Sequence, residues 1–237
     1  MSKIKNTAEK ILGRKLDPSE GLGIDAIVSA EGKLETSLPN DLKDFYLQVG
    51  KIPLFTDGFE FFAQPKQIYI KSNKLVFLEE NQAMLSWAVD LEDADKEENI
   101  KVYQSPNIGE SENKVVWYTE TLRLTEFLEM IMYYQAASGD TDLQKKTKGG
   151  YPYGFVSYKS DVKENELWES FEKDLSDNWE KVVDNNGLMI YYSADALLLY
   201  YTVQDLDTDV DDLIYINTRK ENTLSDFRDK YGFEDVN

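Results

Sequence analysis

The sequence predicts an α+β fold in which several adjacent strands are bracketed by helices. Three observations support this class. Apolar residues at helical spacing are confined to a few segments, short aromatic and β-branched strand patterns follow one another directly, and turn residues separate those strands. Because the strand patterns do not alternate with helices, a parallel βαβ sheet is not predicted. The length of 237 residues allows one large domain or two small ones.

Three helices are predicted at the start of the chain. An apolar stripe over residues 4–12 predicts the first. Residues 17–20 then combine an N-cap acid, a proline and a capping-box glutamate, which predicts the start of a weaker helix around residues 24–28. The third helix is predicted between Leu38 and Gly50, because an apolar stripe ends there at a glycine.

Six short strands and a closing helix are predicted next. The strands share aromatic or β-branched residues bounded by turn residues, and they cover residues 59–63, 67–70, 75–79, 83–89, 101–103 and 115–119. A helix with its apolar face over residues 124–132 follows them. The four tryptophans of the chain occur where the apolar residues of these strands and of a later helix recur. All four are therefore predicted to lie in the core: Trp87, Trp117, Trp168 and Trp179.

The second half of the chain is predicted to be a separate C-terminal part. Residues 137–154 are polar and glycine-rich without periodicity, which predicts a linker between a domain of residues 1–140 and a C-terminal α+β part of residues 150–237. That part has the strongest amphipathic helix of the chain, residues 167–182, ended by a turn at residues 184–187. Strands over residues 188–192, 196–203 and 213–217 and a short helix from Thr223 complete it.

The two halves share a pattern of strands and acidic loops. A shift of 113 residues, which places Leu75 on Leu188, aligns two strand-rich segments without a gap, although few residues are identical. The C-terminal part is therefore either an extension of the first domain or a degenerate second copy of it.

The composition excludes several kinds of chemistry. The chain has no histidine and no cysteine, so imidazole and thiolate catalysis, disulfides and the usual zinc sites are excluded. The N-terminus has no signal-peptide core and no apolar stretch is long enough to span a bilayer, which predicts a cytoplasmic protein. A net charge of −19 argues against binding to nucleic acid or to an anionic membrane and favours a basic partner.

The motifs give no catalytic, cofactor or metal site. Carboxylates are so numerous that spacing alone cannot identify a catalytic pair. Residues 205–212 alternate like the start of an EF-hand loop, but Val210 stands where the loop needs glycine and Ile216 where it needs a bidentate glutamate. The Lys148-Gly149-Gly150 segment is not a phosphate loop, because no glycine-rich turn precedes a Lys-Ser/Thr pair.

Two acidic loops are the candidate partner-binding site. Residues 90–98 hold six acids and one lysine, and residues 205–212 hold five acids and no base, so each loop has a charge of −5. Clustering like charges costs stability, which favours a binding role, with simple solvation as the alternative. The candidate residues are Glu92, Asp93, Asp95, Glu97, Glu98, Asp205, Asp207, Asp209, Asp211 and Asp212.

Several segments of residues 1–140 occur in a characteristic order. An N-terminal helix, the segment LPNDLKDFYLQVG, short strands, the segment ENQAMLSWAVDLED and the helix LTEFLEMIMYY follow one another. This order resembles the SUKH superfamily, which implies helices packed on a mixed or antiparallel sheet. Most bacterial members are immunity proteins that bind and neutralise toxins, often nucleases, and a fungal branch regulates cell-wall assembly. Residues 150–237 exceed the usual single module of this family.

The sequence therefore predicts a non-enzymatic, intracellular immunity protein that binds a cognate toxin with a basic surface. Its acidic loops would complement that surface, and no cofactor, nucleic acid or membrane is expected to take part. Two alternatives stay open: a regulatory or scaffolding protein of the same fold, and a carboxylate-dependent hydrolase. The oligomeric state is not predicted.

Overall fold

The computed structural model describes residues 2–94, 96, 99–138, 141–161, 165–202 and 211–233. These residues form helices and two antiparallel sheets, so the predicted α+β class is confirmed. The chain divides into two compact units, Met1–Met132 and Tyr133–Asn237, a boundary that differs from the predicted division of residues 1–140 and 150–237.

The first unit opens with four helices: α1 (Lys3–Leu12), α2 (Ile24–Leu34), α3 (Asn40–Val49) and α4 (Pro53–Thr56). Helix α1 begins at Ser2, whose hydroxyl accepts from the Lys5 backbone N–H at 3.0 Å, and ends at a left-handed Gly13. The predicted capping box caps only the short 3₁₀ turn Pro18–Glu20. Helix α2 starts separately, after Gly23. Between the two, Gly21 approaches the backbone of Leu47 too closely for any side chain.

An antiparallel sheet and one helix follow. Their bounds are β1 (Phe61–Phe62), β2 (Tyr69–Lys71), β3 (Lys74–Glu79), β4 (Ser86–Asp90), β5 (Lys101–Ser105), β6 (Tyr118–Arg123) and α5 (Leu124–Ser138). Strands β1 and β2 both pair with one edge of β3, and β4, β5 and β6 follow in order. Phe45 stacks on Phe62 at 4.2 Å, and Phe77 meets Phe127 edge-on at 6.2 Å, so aromatic rings connect α3 and α5 to the sheet.

The second unit is built around its own antiparallel sheet, in the order β7-β11-β10-β9-β8. Its elements are α6 (Thr141–Lys146), β7 (Tyr153–Tyr158), α7 (Asn165–Asn178), β8 (Glu180–Asn185), β9 (Leu188–Tyr192), β10 (Ala196–Tyr201), β11 (Leu213–Thr218) and α8 (Glu221–Tyr231). Buried residues of the strands and of helices α7 and α8 form one cluster: Phe155, Trp168, Phe171, Leu175, Tyr191, Leu198, Tyr200, Ile214, Ile216, Phe227, Tyr231 and Phe233.

The predicted helix over residues 167–182 is too long. Helix α7 ends at Asn178, and β8 begins two residues later. Asn186 and Gly187 both have positive φ angles, 48° and 83°, and form the two-residue turn of the β8–β9 hairpin. The Asn-Gly pair is therefore a hairpin turn and not the end of a helix. Trp179 lies just beyond the end of α7. Its side chain still packs against the core cluster, and for that reason it matches the apolar spacing of the helix.

The described residues of the segment predicted to be a linker, 137–138 and 141–154, are folded. They contain the end of α5, the whole of α6 and the start of β7. The side chain of Gln144 is buried: its amide nitrogen donates to the Ala136 carbonyl at 2.7 Å, and its amide oxygen accepts from the Tyr151 backbone N–H at 2.9 Å. The polar composition here thus serves buried hydrogen bonding as well as solvent exposure.

The two sheets share a meander of three antiparallel strands, β3-β4-β5 and β9-β10-β11. Their registers differ, since Glu79 faces Ser86 whereas Tyr192 faces Leu197, which makes the first hairpin loop two residues longer. The gapless alignment at 113 residues is therefore not the one that strand pairing gives.

The tryptophans predicted to lie in the core are buried to different degrees. Trp87 and Trp168 are buried, with 8% and 5% of their surface exposed. Trp117 and Trp179 are only half-buried.

We expect replacement of Phe171 by alanine to destabilise the second unit by about 3–5 kcal/mol, because it would open a cavity at the centre of the aromatic cluster. The Phe171 ring is fully buried and lies 5.1–6.4 Å from five others, those of Trp168, Tyr200, Phe227, Tyr231 and Phe233. The half-buried Trp179 is the control, for which about 1 kcal/mol is expected on change to alanine. Urea unfolding followed by circular dichroism measures both, and an equal or smaller loss for Phe171→Ala would contradict this core assignment.

Candidate functional site

The first acidic loop begins where β4 ends. Leu91–Asp93 form a single 3₁₀ turn after Asp90. Glu92 is exposed, whereas Asp93 forms an ion pair with Lys96. The other three candidate residues of this loop lie outside the described residues: Asp95, Glu97 and Glu98.

The base of this loop is a fixed group of polar and aromatic side chains. Lys74 and Asp90 face each other across β3 and β4, and the Lys74 ammonium lies 2.7 Å from Asp90 Oδ1. The same ammonium lies 3.7 Å from the centre of the Tyr103 ring. Burial, and then the hydrogen bond to Asp90, raise the pKa of Tyr103 to about 12. Asp90 is therefore engaged inside the fold, and Glu92 is the exposed acid that follows it.

The second acidic loop joins β10 to β11, and the structure describes its last two acids. Asp211 Oδ2 accepts from the Ser160 backbone N–H at 2.5 Å, and Asp211 Oδ1 accepts from the Asp212 backbone N–H at 2.8 Å. Burial alone would raise the pKa of Asp211, but the hydrogen bonds from Ser160 outweigh it and hold that pKa below its usual value. Three further candidates lie outside the described residues: Asp205, Asp207 and Asp209.

Asp212 is held by a buried tyrosine and a lysine. Its Oδ2 atom accepts from the Tyr200 hydroxyl at 3.0 Å and lies 3.9 Å from the Lys159 ammonium. That ammonium also lies 5.0 Å from the centre of the Trp168 ring. Burial, followed by the charges of Asp212 and Glu172, raises the pKa of Tyr200 well above its usual range. Asp211 and Asp212 thus anchor the end of this loop.

The two loops share one chemical arrangement. In each, a lysine ammonium lies over an aromatic ring and beside an aspartate, and a tyrosine hydroxyl is hydrogen-bonded to that aspartate. Counting Lys74 with the first loop and Lys159 with the second changes each formal charge from −5 to −4. Each arrangement therefore fixes one acid at the strand ends, while most of the negative charge of the loop is not compensated by its lysine.

Metal-binding clusters and membrane-spanning helices were looked for among the described residues. Among the described residues, no three carboxylates come together as a metal-binding cluster, and none of the helices they form is long and apolar enough to cross a membrane. Comparison of the chain with family models, with curated proteins and with solved structures finds no match.

One buried acid was not predicted. Glu60 lies just before β1 and only 5% of its surface is exposed. Its Oε2 atom accepts from the Asn81 backbone N–H at 3.2 Å. Burial, and then the charge of Glu80, raise the pKa of Glu60 to about 7. A signal was present in the sequence, because Glu60 and the buried Phe62 are two residues apart and so share one face of an extended chain.

We expect Glu60→Gln to stabilise the protein at pH 8 by about 1–3 kcal/mol and to leave it unchanged at pH 4. A raised pKa means that the native state binds this proton more tightly than the unfolded state, so stability falls as the pH rises from about 4.5 through about 7. Urea unfolding at pH 4, 6 and 8 measures the gain, with the exposed Glu92→Gln as control. A gain of the same size at all three pH values would contradict this assignment.

Proposed function

We propose that this chain is a non-catalytic, cytoplasmic binding protein that neutralises a cognate toxin with a basic surface, as immunity proteins do. The observation that carries the proposal is the charge distribution: 45 acids against 26 basic residues, with two acidic loops whose strand-end lysines remove only a small part of the charge. Complementary charge speeds the encounter of two proteins and disfavours wrong partners.

The chemistry of such a partnership suits this composition. A toxin that cleaves nucleic acid needs a basic surface to bind phosphates, and an acidic protein can compete for that surface. Covering it requires no catalytic group, so a chain without histidine or cysteine can perform this role. The SUKH-like order of segments in residues 1–140 supports the same function.

The four described candidate acids fall into two groups. Glu92 is exposed, and we infer that it contributes directly to steering the partner. Asp93, Asp211 and Asp212 have partners within the chain, and we infer that the last two mainly position the second loop.

The biological test is co-expression with the product of the neighbouring reading frame in a host that this product kills. We expect the chain to restore growth and to form a stable complex with the product of that reading frame. A complex with a harmless product would favour the regulatory or scaffolding alternative, and absence of both rescue and binding would contradict the proposal.

We expect neutralisation of either loop to slow association with that toxin by about tenfold or more at low salt, and to weaken the dependence of the rate on salt. The first variant changes Glu92, Asp93, Asp95, Glu97 and Glu98 to their amides, and the second changes Asp205, Asp207 and Asp209. Stopped-flow association across a salt series measures both.

The matched control separates steering from net charge. Asp25 and Glu35 are exposed acids at the two ends of α2, so Asp25→Asn/Glu35→Gln can be compared with Glu92→Gln/Asp93→Asn at an equal change of charge. A larger effect at Glu92 and Asp93 supports a role of the first loop. Equal slowing by both pairs, or unchanged association rates for both loop variants, would contradict a binding role. The acids would then serve only to keep the surface solvated.

A further inference from the structure

The second sheet has a face that does not contribute to the core cluster of α7 and α8. Successive side chains of a strand point to opposite faces, so the strand residues between those of the cluster lie on this other face. Strand pairing arranges them in an outer row of Leu188, Tyr201, Leu213 and Tyr158 and an inner row of Ile190, Leu199, Tyr215 and Val156. These two rows, which we call the tyrosine strip, cross strands β9, β10, β11 and β7.

The two rows of the tyrosine strip differ in burial. In the inner row, Ile190 and Leu199 are buried. In the outer row, Tyr158 and Tyr201 expose 37% and 45% of their surface, and the two leucines are half-buried. The described residues that line a groove of about 270 Å³ on this strip are Tyr134, Leu188, Leu199, Tyr201, Leu213 and Tyr215. Pockets for small molecules usually measure about 300–1,000 Å³, so this groove suits one large side chain better than a drug-sized molecule.

The exposed residues of the outer row are neighbours and not scattered single residues. Leu213 pairs with Tyr201 on one side and with Tyr158 on the other, so the three form a continuous surface. Single exposed apolar residues are common on any protein, whereas a contiguous patch is typical of an interaction site. Tyrosine is enriched at such sites, because it offers a large contact area and loses little conformational entropy when a partner covers it.

The second acidic loop begins and ends at this row. Tyr201 is the last residue of β10 and Leu213 the first of β11, so the loop connects two neighbours of the outer row. Its end is held next to Tyr158, because the Lys159 backbone N–H donates to the Asp212 carbonyl oxygen at 3.0 Å. An apolar surface and a strongly acidic segment therefore adjoin each other at the same edge of the sheet.

We propose that the tyrosine strip is the surface on which the basic partner packs an apolar or aromatic side chain. This inference rests on the proposed function and adds the place of contact. The five acids of residues 205–212 attract lysine and arginine side chains of the partner, and the strip takes the apolar side chain between them. A second copy of this chain fits less well, because it would bring the same acidic loop against the first.

The loop and the strip then act on different steps of binding. Charges attract over a distance and set the rate of encounter, whereas a buried aromatic contact forms only in the docked complex and slows dissociation. Removal of the exposed ring at the strip should therefore change the dissociation rate and leave the association rate nearly unchanged, the opposite of what we expect for neutralisation of the loop.

The first test needs no variant and uses the complex with the product of the neighbouring reading frame. Tetranitromethane modifies accessible tyrosines, and mass spectrometry locates the modified residues. The chain has exposed tyrosines at the strip and elsewhere: Tyr158 and Tyr201 at the strip, and Tyr118 and Tyr153 away from it. We expect Tyr158 and Tyr201 to lose most of their modification in the complex, while Tyr118 and Tyr153 keep theirs. Unchanged modification of Tyr158 and Tyr201 in a stable complex would overturn the strip and leave the proposed function standing.

The second test compares two tyrosines of the same sheet. Tyr201→Ala should speed dissociation of that complex about tenfold or more, as truncation of an interface aromatic does. Tyr153 is the matched control, because it exposes 37% of its surface and pairs with Thr218 on the other face of the sheet. Tyr153→Ala should leave the rate unchanged, and urea unfolding verifies that both variants fold. Equal dissociation rates for the two folded variants would overturn the strip.

If the product of the neighbouring reading frame does not bind, the proposed function is contradicted and a pair of peptides decides for the strip. One is a short lysine-rich peptide with a single central phenylalanine, and the other has serine in its place. We expect the full chain to bind the phenylalanine peptide more tightly in fluorescence anisotropy. Tyr201→Ala should remove this preference and Tyr153→Ala should keep it. Equal affinities of the unaltered chain for the two peptides would overturn the strip as well.

Discussion

Repulsion among like charges is the constraint under which this chain folds. With a net charge of −19, every cluster of acids opposes the compact state, and the two acidic loops are the strongest such clusters. Each loop is anchored where its strands end by the same combination, a lysine beside an aspartate and over an aromatic ring. The aromatic rings of these anchors, Tyr103 and Trp168, belong to the core of their unit or lie at its edge. The packing of each unit and the position of its acidic loop therefore depend on one another.

One acid is buried in spite of this repulsion between like charges. Glu60 is a carboxylate placed in a buried position and close to the charge of Glu80, and its raised pKa is the basis on which we expect stability to depend on pH near neutrality in a chain without histidine. A buried acid goes against the average composition, and features of this kind are typical of functional positions.

We propose that the two acidic loops recognise a partner by charge. They would act over distance on a basic macromolecule, because attraction between opposite charges steers the encounter of two proteins and is screened by salt.

The sequence by itself determined the α+β class, helices α1 and α3, most strands of the first sheet, and the net charge. These features depend on neighbouring residues, whose spacing is visible in the chain. Tertiary structure decided that residues 137–138 and 141–154 are folded, that β8 replaces the end of a helix, and that Asp211 and Asp212 are anchored. It also placed Arg219 beside Gly149, 70 residues away, and Asp211 beside Ser160, 51 residues away. No local pattern encodes such contacts, because burial and pairing across a sheet depend on which distant strands become neighbours.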